Sequence, residues 1–71
     1  MKYLIVIEKA KRNYSAYVPD LPGCIATGRT LVEIRKQMRE AIEFHIEGMR
    51  EDGLPVPEPT SCGEYVEAKV A

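Results

Sequence analysis

An α+β domain, three strands followed by one helix and a returning strand, with the helix laid across one face of the sheet, is the fold this sequence predicts. Three observations carry it. Thr30 to Asp52, TLVEIRKQMREAIEFHIEGMRED, is a long run with helical periodicity. Four other stretches are rich in β-branched and aromatic residues and bounded by turn formers. The links joining the first three of these are short, which makes them antiparallel neighbours.

The first strand, Lys2 to Glu8 (KYLIVIE), is apolar on both parities from Tyr3 to Ile7, the pattern of an interior strand with both faces at least partly covered. Lys9 to Asn13 then turn the chain into a second strand, Tyr14 to Val18, where Tyr14, Ala16 and Val18 alternate with Ser15 and Tyr17. Pro19-Asp20-Leu21-Pro22-Gly23 is the most punctuated segment: its prolines remove donors and preset φ, and its Asp and Gly favour turns. A carboxylate at Asp20 is expected to accept backbone N–H bonds and hold this loop. The third strand is Gly23 to Thr27, and Gly28-Arg29 deliver the chain to the helix.

Thr30 followed three residues later by Glu33 forms a capping box that starts the helix. Gly53 supplies the left-handed residue that ends it, and Pro55 and Pro57 forbid continuation. Between these marks Leu31, Ile34, Met38, Ala41, Ile42, His45 and Met49 recur at spacings of three and four, giving one apolar stripe. Leu54 to Pro59 is an extended connector. The last strand, Glu64 to Val70, alternates Val66, Ala68 and Val70 with Tyr65, Glu67 and Lys69, and is expected to lie beside the first strand by a right-handed crossover. One helix shields one sheet face, so the first strand's apolar residues, Tyr3, Ile5 and Ile7, are expected on an uncovered face that docks a second copy, as a homodimer or larger assembly.

Seventy-one residues make a single domain with a small core, for which self-association is a common brace. The formal net charge of −1 excludes a generic electrostatic grip on nucleic acid. Lys9, Lys11 and Arg12 fall in a turn and read as solvated loop charges. The chain has no secretory pattern and no apolar run long enough to span a membrane, so a cytoplasmic protein is expected. Cys24 and Cys62, with a single His, cannot assemble a zinc set.

His45, in phase with the stripe, reads as a packing histidine. Glu8, Glu40, Glu64 and Glu67 are the candidate acids for metal-dependent nuclease chemistry. Glu8 ends its strand and the helix acids alternate with arginines, so no metal or catalytic site is expected. There is no phosphate loop, nucleophile motif or cofactor fingerprint. The residues describe a domain that binds rather than catalyses. Tyr17, Asp20, Leu21, Glu43 and Glu47 are the candidate partner contacts.

The runs IEKA (7–10), YSAYVPDLPGC (14–24), ATGRTLVE (26–33) and REAIEFHIEGMREDGLPVPEP (39–59) resemble the HicB-type antitoxins over nearly the whole chain. The resemblance implies a partial ribonuclease H-like sheet with the same element order and without that fold's catalytic carboxylates. It implies a type II toxin–antitoxin role, in which the protein binds a small basic HicA-like mRNA interferase toxin and blocks its catalytic histidine. Complementary charge would come from Glu40, Glu43, Glu47, Glu51 and Asp52, with Glu58 and Asp20. Many family members carry a carboxyl-terminal DNA-binding domain; these 71 residues hold no counterpart, and direct DNA binding is not expected of them. The alternative reading is a ribonuclease H-like nucleic-acid-binding or vestigial nuclease domain.

Overall fold

The computed structural model of the chain describes residues 1–70. Three strands, β1 (Val6–Lys9), β2 (Tyr14–Tyr17) and β3 (Ile25–Gly28), form an antiparallel sheet in the order β1-β2-β3, and one helix, α1 (Leu31–Glu51), follows. The β1–β2 turn is closed by a bond from the Ala10 N–H to the Asn13 carbonyl, 2.8 Å.

Both helix ends follow the local chemistry. Thr30 is extended, at φ −131° and ψ 165°, and its Oγ1 accepts from the Glu33 N–H at 3.0 Å. At the other end Gly53, at φ +69°, donates to the Arg50 carbonyl, and Leu54 donates back to Met49 at 2.8 Å. That pair of bonds is a Schellman motif, and it satisfies carbonyls the helix would leave free.

Strand register assigns the two sheet faces. Ile7, Ala16 and Ala26 lie opposite one another across the three strands, and Ala16 is buried beneath α1. Val6, Tyr17 and Ile25 form the adjacent row, which alternation turns to the other face, where Tyr17 is 41% and Ile25 70% exposed. The same parity carries Tyr3 and Ile5 to the helix side. Tyr3, Ile5 and Ile7 are half-buried on the helix side, and Tyr17 and Ile25 lie exposed on the other face.

The core holds Ala16, Val18, Leu21, Cys24, Ile34 and Met38, and each fully buried aliphatic side chain contributes about 1.5–3 kcal/mol. The helix lies over β3 and β2. It approaches β3 so closely that a Cβ on Gly28 would sit 2.9 Å from the Ile34 backbone nitrogen. Only glycine fits there.

The expected fourth strand, Glu64 to Val70, does not pair with the sheet, and residues 61–70 are exposed. Because α1 roofs β3 and β2, a fourth strand beside β1 would find little helix to cover the apolar side formed by Val66, Ala68 and Val70.

Candidate partner-binding surface

The outward side of α1 carries both signs of charge, with Lys36, Arg39 and Arg50 beside Glu40, Glu43, Glu47 and Glu51. Helical spacing places Glu40, Glu43, Phe44, Glu47 and Glu51 on one stripe opposite Ile34 and Met38, and all five are exposed. Glu43–Glu47 and Glu47–Glu51 are like-charge pairs at i, i+4, each unfavourable by about 0.2–0.5 kcal/mol. Glu51 and the capping Asp52 also lie at the negative end of the helix dipole, where an anion costs about 0.3–1 kcal/mol. Phe44, 80% exposed, stands among these carboxylates.

Along one flank of this stripe, between the first residues of the chain and α1, runs an open groove of about 710 Å³. Tyr3, Ile42 and Ile46 are its half-buried apolar lining, and Glu43, Glu47, Glu51 and the cation Arg50 are its exposed charges. It exists because α1 is offset from β1, leaving this side of the sheet unroofed.

Asp20 is a clasp. One carboxylate oxygen accepts from the Thr60 and Ser61 N–H groups at 3.1 and 2.9 Å, and the other accepts from their hydroxyls at 3.1 and 2.8 Å. These donors, the Ser61 backbone N–H foremost, hold the Asp20 carboxyl below its ordinary pKa of 3.8. The loop-holding role read from the sequence is therefore directed at a segment 40 residues away. Nearby, Tyr3 Oη donates to the Pro57 carbonyl at 2.5 Å.

The remaining candidates are dispersed. Leu21 has no exposed surface; bonds between Val18, Leu21 and Cys24 curl its loop inward, so the expectation of a surface contact is corrected to a core role. Tyr17 lies on the open sheet face, away from the helix stripe. Glu43 and Glu47 are brought together; Asp20 is committed to the tail. His45 is half-buried at the edge of the apolar stripe. Burial pushes the Cys24 thiol up, and Cys62 is exposed. Among the described residues no group of three or more His, Cys, Asp or Glu could hold a metal ion, and no helix is long and apolar enough to cross a membrane. Phe44 went unnoticed in the sequence; its signal there is an aromatic ring out of phase with the apolar stripe.

The family model of the HicB-like antitoxin of bacterial toxin–antitoxin systems matches residues 3–70. An uncharacterized 14.9 kDa protein from the rep-hol intergenic region of Haemophilus phage HP1 is 46% identical over 66 residues, covering 93% of this chain. The chain spans 50% of that relative's length. A UPF0150 protein of Archaeoglobus fulgidus is 43% identical over 56 residues, covering 75% of this chain and 81% of its own. Among solved structures, a chain of a HicA3 and HicB3 toxin–antitoxin complex superposes with a TM-score of 0.74 at 37% identity, covering 84% of this chain and 70% of that one. A match across nearly every residue, joined to the same α+β architecture, means that the chain belongs to the HicB-like antitoxin family.

Proposed function

We propose that this chain is the neutralising member of a toxin–antitoxin pair. It binds a HicA-like ribonuclease toxin through the outer side of α1 and blocks the toxin's active site by covering it. The observation that carries the reading is the acidic stripe of Glu40, Glu43, Glu47 and Glu51 around the exposed Phe44. A protein that grips RNA presents a cationic surface, and a desolvated aromatic anchor ringed by opposite charge is the arrangement that concentrates binding energy at interfaces. The solved HicA3 and HicB3 complex supports the choice of partner. The role is binding, not catalysis, and its place is the cytoplasm, where mRNA is translated.

The test mixes the purified chain with a purified small basic HicA-like protein and follows both complex formation and RNA cleavage. A complex in which cleavage stops supports the proposal. Absence of a complex overturns it, and a complex that still cleaves RNA overturns the occlusion mechanism.

A further inference from the structure

The helix side of the sheet is only partly roofed. α1 lies over β3 and β2 and does not reach β1, which leaves a trough between α1 and the residues leading into β1. The groove beside Glu43 and Glu47 runs on into a second recess of about 530 Å³. The two share Met1, Tyr3, Ile42 and Glu43, which makes them one trough. It follows α1 from Arg35 to Glu51, about 24 Å at 1.5 Å per residue. Its charges are sorted along that length. Exposed Lys2, Arg35 and Arg39 line the end nearer the start of α1; exposed Glu43, Glu47 and Glu51 line the other, where Arg50 is the single cation. We propose that this trough receives one amphipathic helix of another protein, apolar on the face it buries, with acidic side chains at one end over Arg35 and Arg39 and basic ones at the other over Glu47 and Glu51.

The place is that of a helix. Helices packed side by side cover sheet faces, and here there is room for a second beside α1. Strand amides point within the plane of the sheet and helix amides along the axis of α1, so neither serves a guest seated between them. A helix satisfies its own backbone and offers one face for burial. Half-buried Tyr3, Ile42 and Ile46 are the apolar surface that face would meet. Tyr3 Oη donates to the Pro57 carbonyl, which fixes the ring before a guest arrives.

This chain does not supply that helix. Among the described residues α1 is the one helix, and its apolar stripe is committed to the core; a second copy brings the same committed helix. The sorted charge then selects among foreign helices. A guest with acids at one end and cations at the other matches both ends of the trough, whereas a uniformly basic or acidic one matches a single end and is repelled at the other. Such docking needs no toxin and stands apart from the reading above.

The test titrates the isotope-labelled full chain with a capped peptide of about 16 residues, a designed helix with leucines at spacings of three and four, glutamates in its first turn and lysines in its last. One peptide is expected to bind per chain, with amide shifts confined to residues 1–5 and the trough side of α1. Arg39→Glu and Glu47→Lys, both at exposed positions, are each expected to weaken binding about tenfold. Glu8→Lys, on the open sheet face, is expected to leave it unchanged. A second peptide with the same leucines and lysines at both ends is expected to bind about tenfold more weakly than the first. Absence of binding, equal binding by the two peptides, indifference to Arg39→Glu, or shifts centred on Tyr17 and Ile25 would each overturn the proposal. So would Tyr3 and Ile46 amides that shift with chain concentration before any peptide is added, which would give the trough to a second copy.

Discussion

Reversing the charge of Glu51 separates what the helix needs from what a partner needs. Glu51 is the last residue of α1, one turn beyond Glu47, and its neighbour Asp52 caps the helix. In Glu51→Lys, a repulsive i, i+4 pair becomes an attractive Glu-to-Lys pair, a change of about 0.4–1 kcal/mol. The dipole contribution at the helix end reverses as well, adding about 0.6–2 kcal/mol before salt screening. We expect the free chain to gain about 1–2 kcal/mol. For a domain of this size each kcal/mol raises the melting temperature by about 4–8 °C. The same substitution places a cation against a basic toxin and is expected to weaken binding about tenfold, mainly by slowing association, with less effect at high salt. Thermal melts followed by circular dichroism and association kinetics on an immobilised toxin measure the two changes. A melting temperature that falls, or an affinity that holds, refutes the claim that the acidic stripe is kept for binding at the expense of the helix.

Other expectations follow from single contacts. Phe44→Ala should change stability by less than about 0.5 kcal/mol, since the ring is exposed, yet cost about 2 kcal/mol in toxin affinity, read by titration calorimetry. Gly28→Ala forces a methyl group against the Ile34 backbone and should destabilise the domain by about 1–3 kcal/mol in urea unfolding. Met38→Ala opens the centre of the core and should cost about 2–5 kcal/mol, comparable with the whole stability of so small a domain, so the variant is expected largely unfolded at 37 °C. The Asp20 clasp carries a pH dependence. Its carboxyl is held below 3.8 in the folded chain, so the stabilisation is present above that value and is lost as the pH falls through the lower folded-state pKa. Backbone relaxation of Thr60 and Ser61 should report a tethered tail at pH 6 and a mobile one at low pH, and Asp20→Asn should free it at both.

The parts legible in the sequence are those decided by neighbours along the chain. Thr30 and Glu33 cap α1 within one turn, and Gly53 ends it through bonds to Met49 and Arg50, so the helix lies where its own residues put it. The first three strands also follow from turn residues and alternation. What depends on distant parts of the chain was less readable. From Tyr3 to Ile7 both parities are apolar, and only pairing of Ile7 with the buried Ala16 decides which side faces α1. Leu21 sits among turn formers and looks exposed until the loop curls it beneath the helix. The tail has a strand's pattern, yet a strand needs both an edge and a cover, and the offset of α1 from β1 is a packing outcome that no local pattern encodes. On the outer side of α1, the exposure of Glu43 and Glu47 follows from their place off the apolar stripe. Phe44 was overlooked because a helix aromatic is ordinarily a core residue.

The most direct measurement is RNA cleavage by a purified HicA-like ribonuclease, titrated with the parent chain and with Phe44→Ala/Glu47→Lys. The account predicts that the parent chain halts cleavage near equivalence, while the double variant, folded and at least as heat-resistant, leaves the ribonuclease active. Equal inhibition by both chains, or none by either, contradicts it.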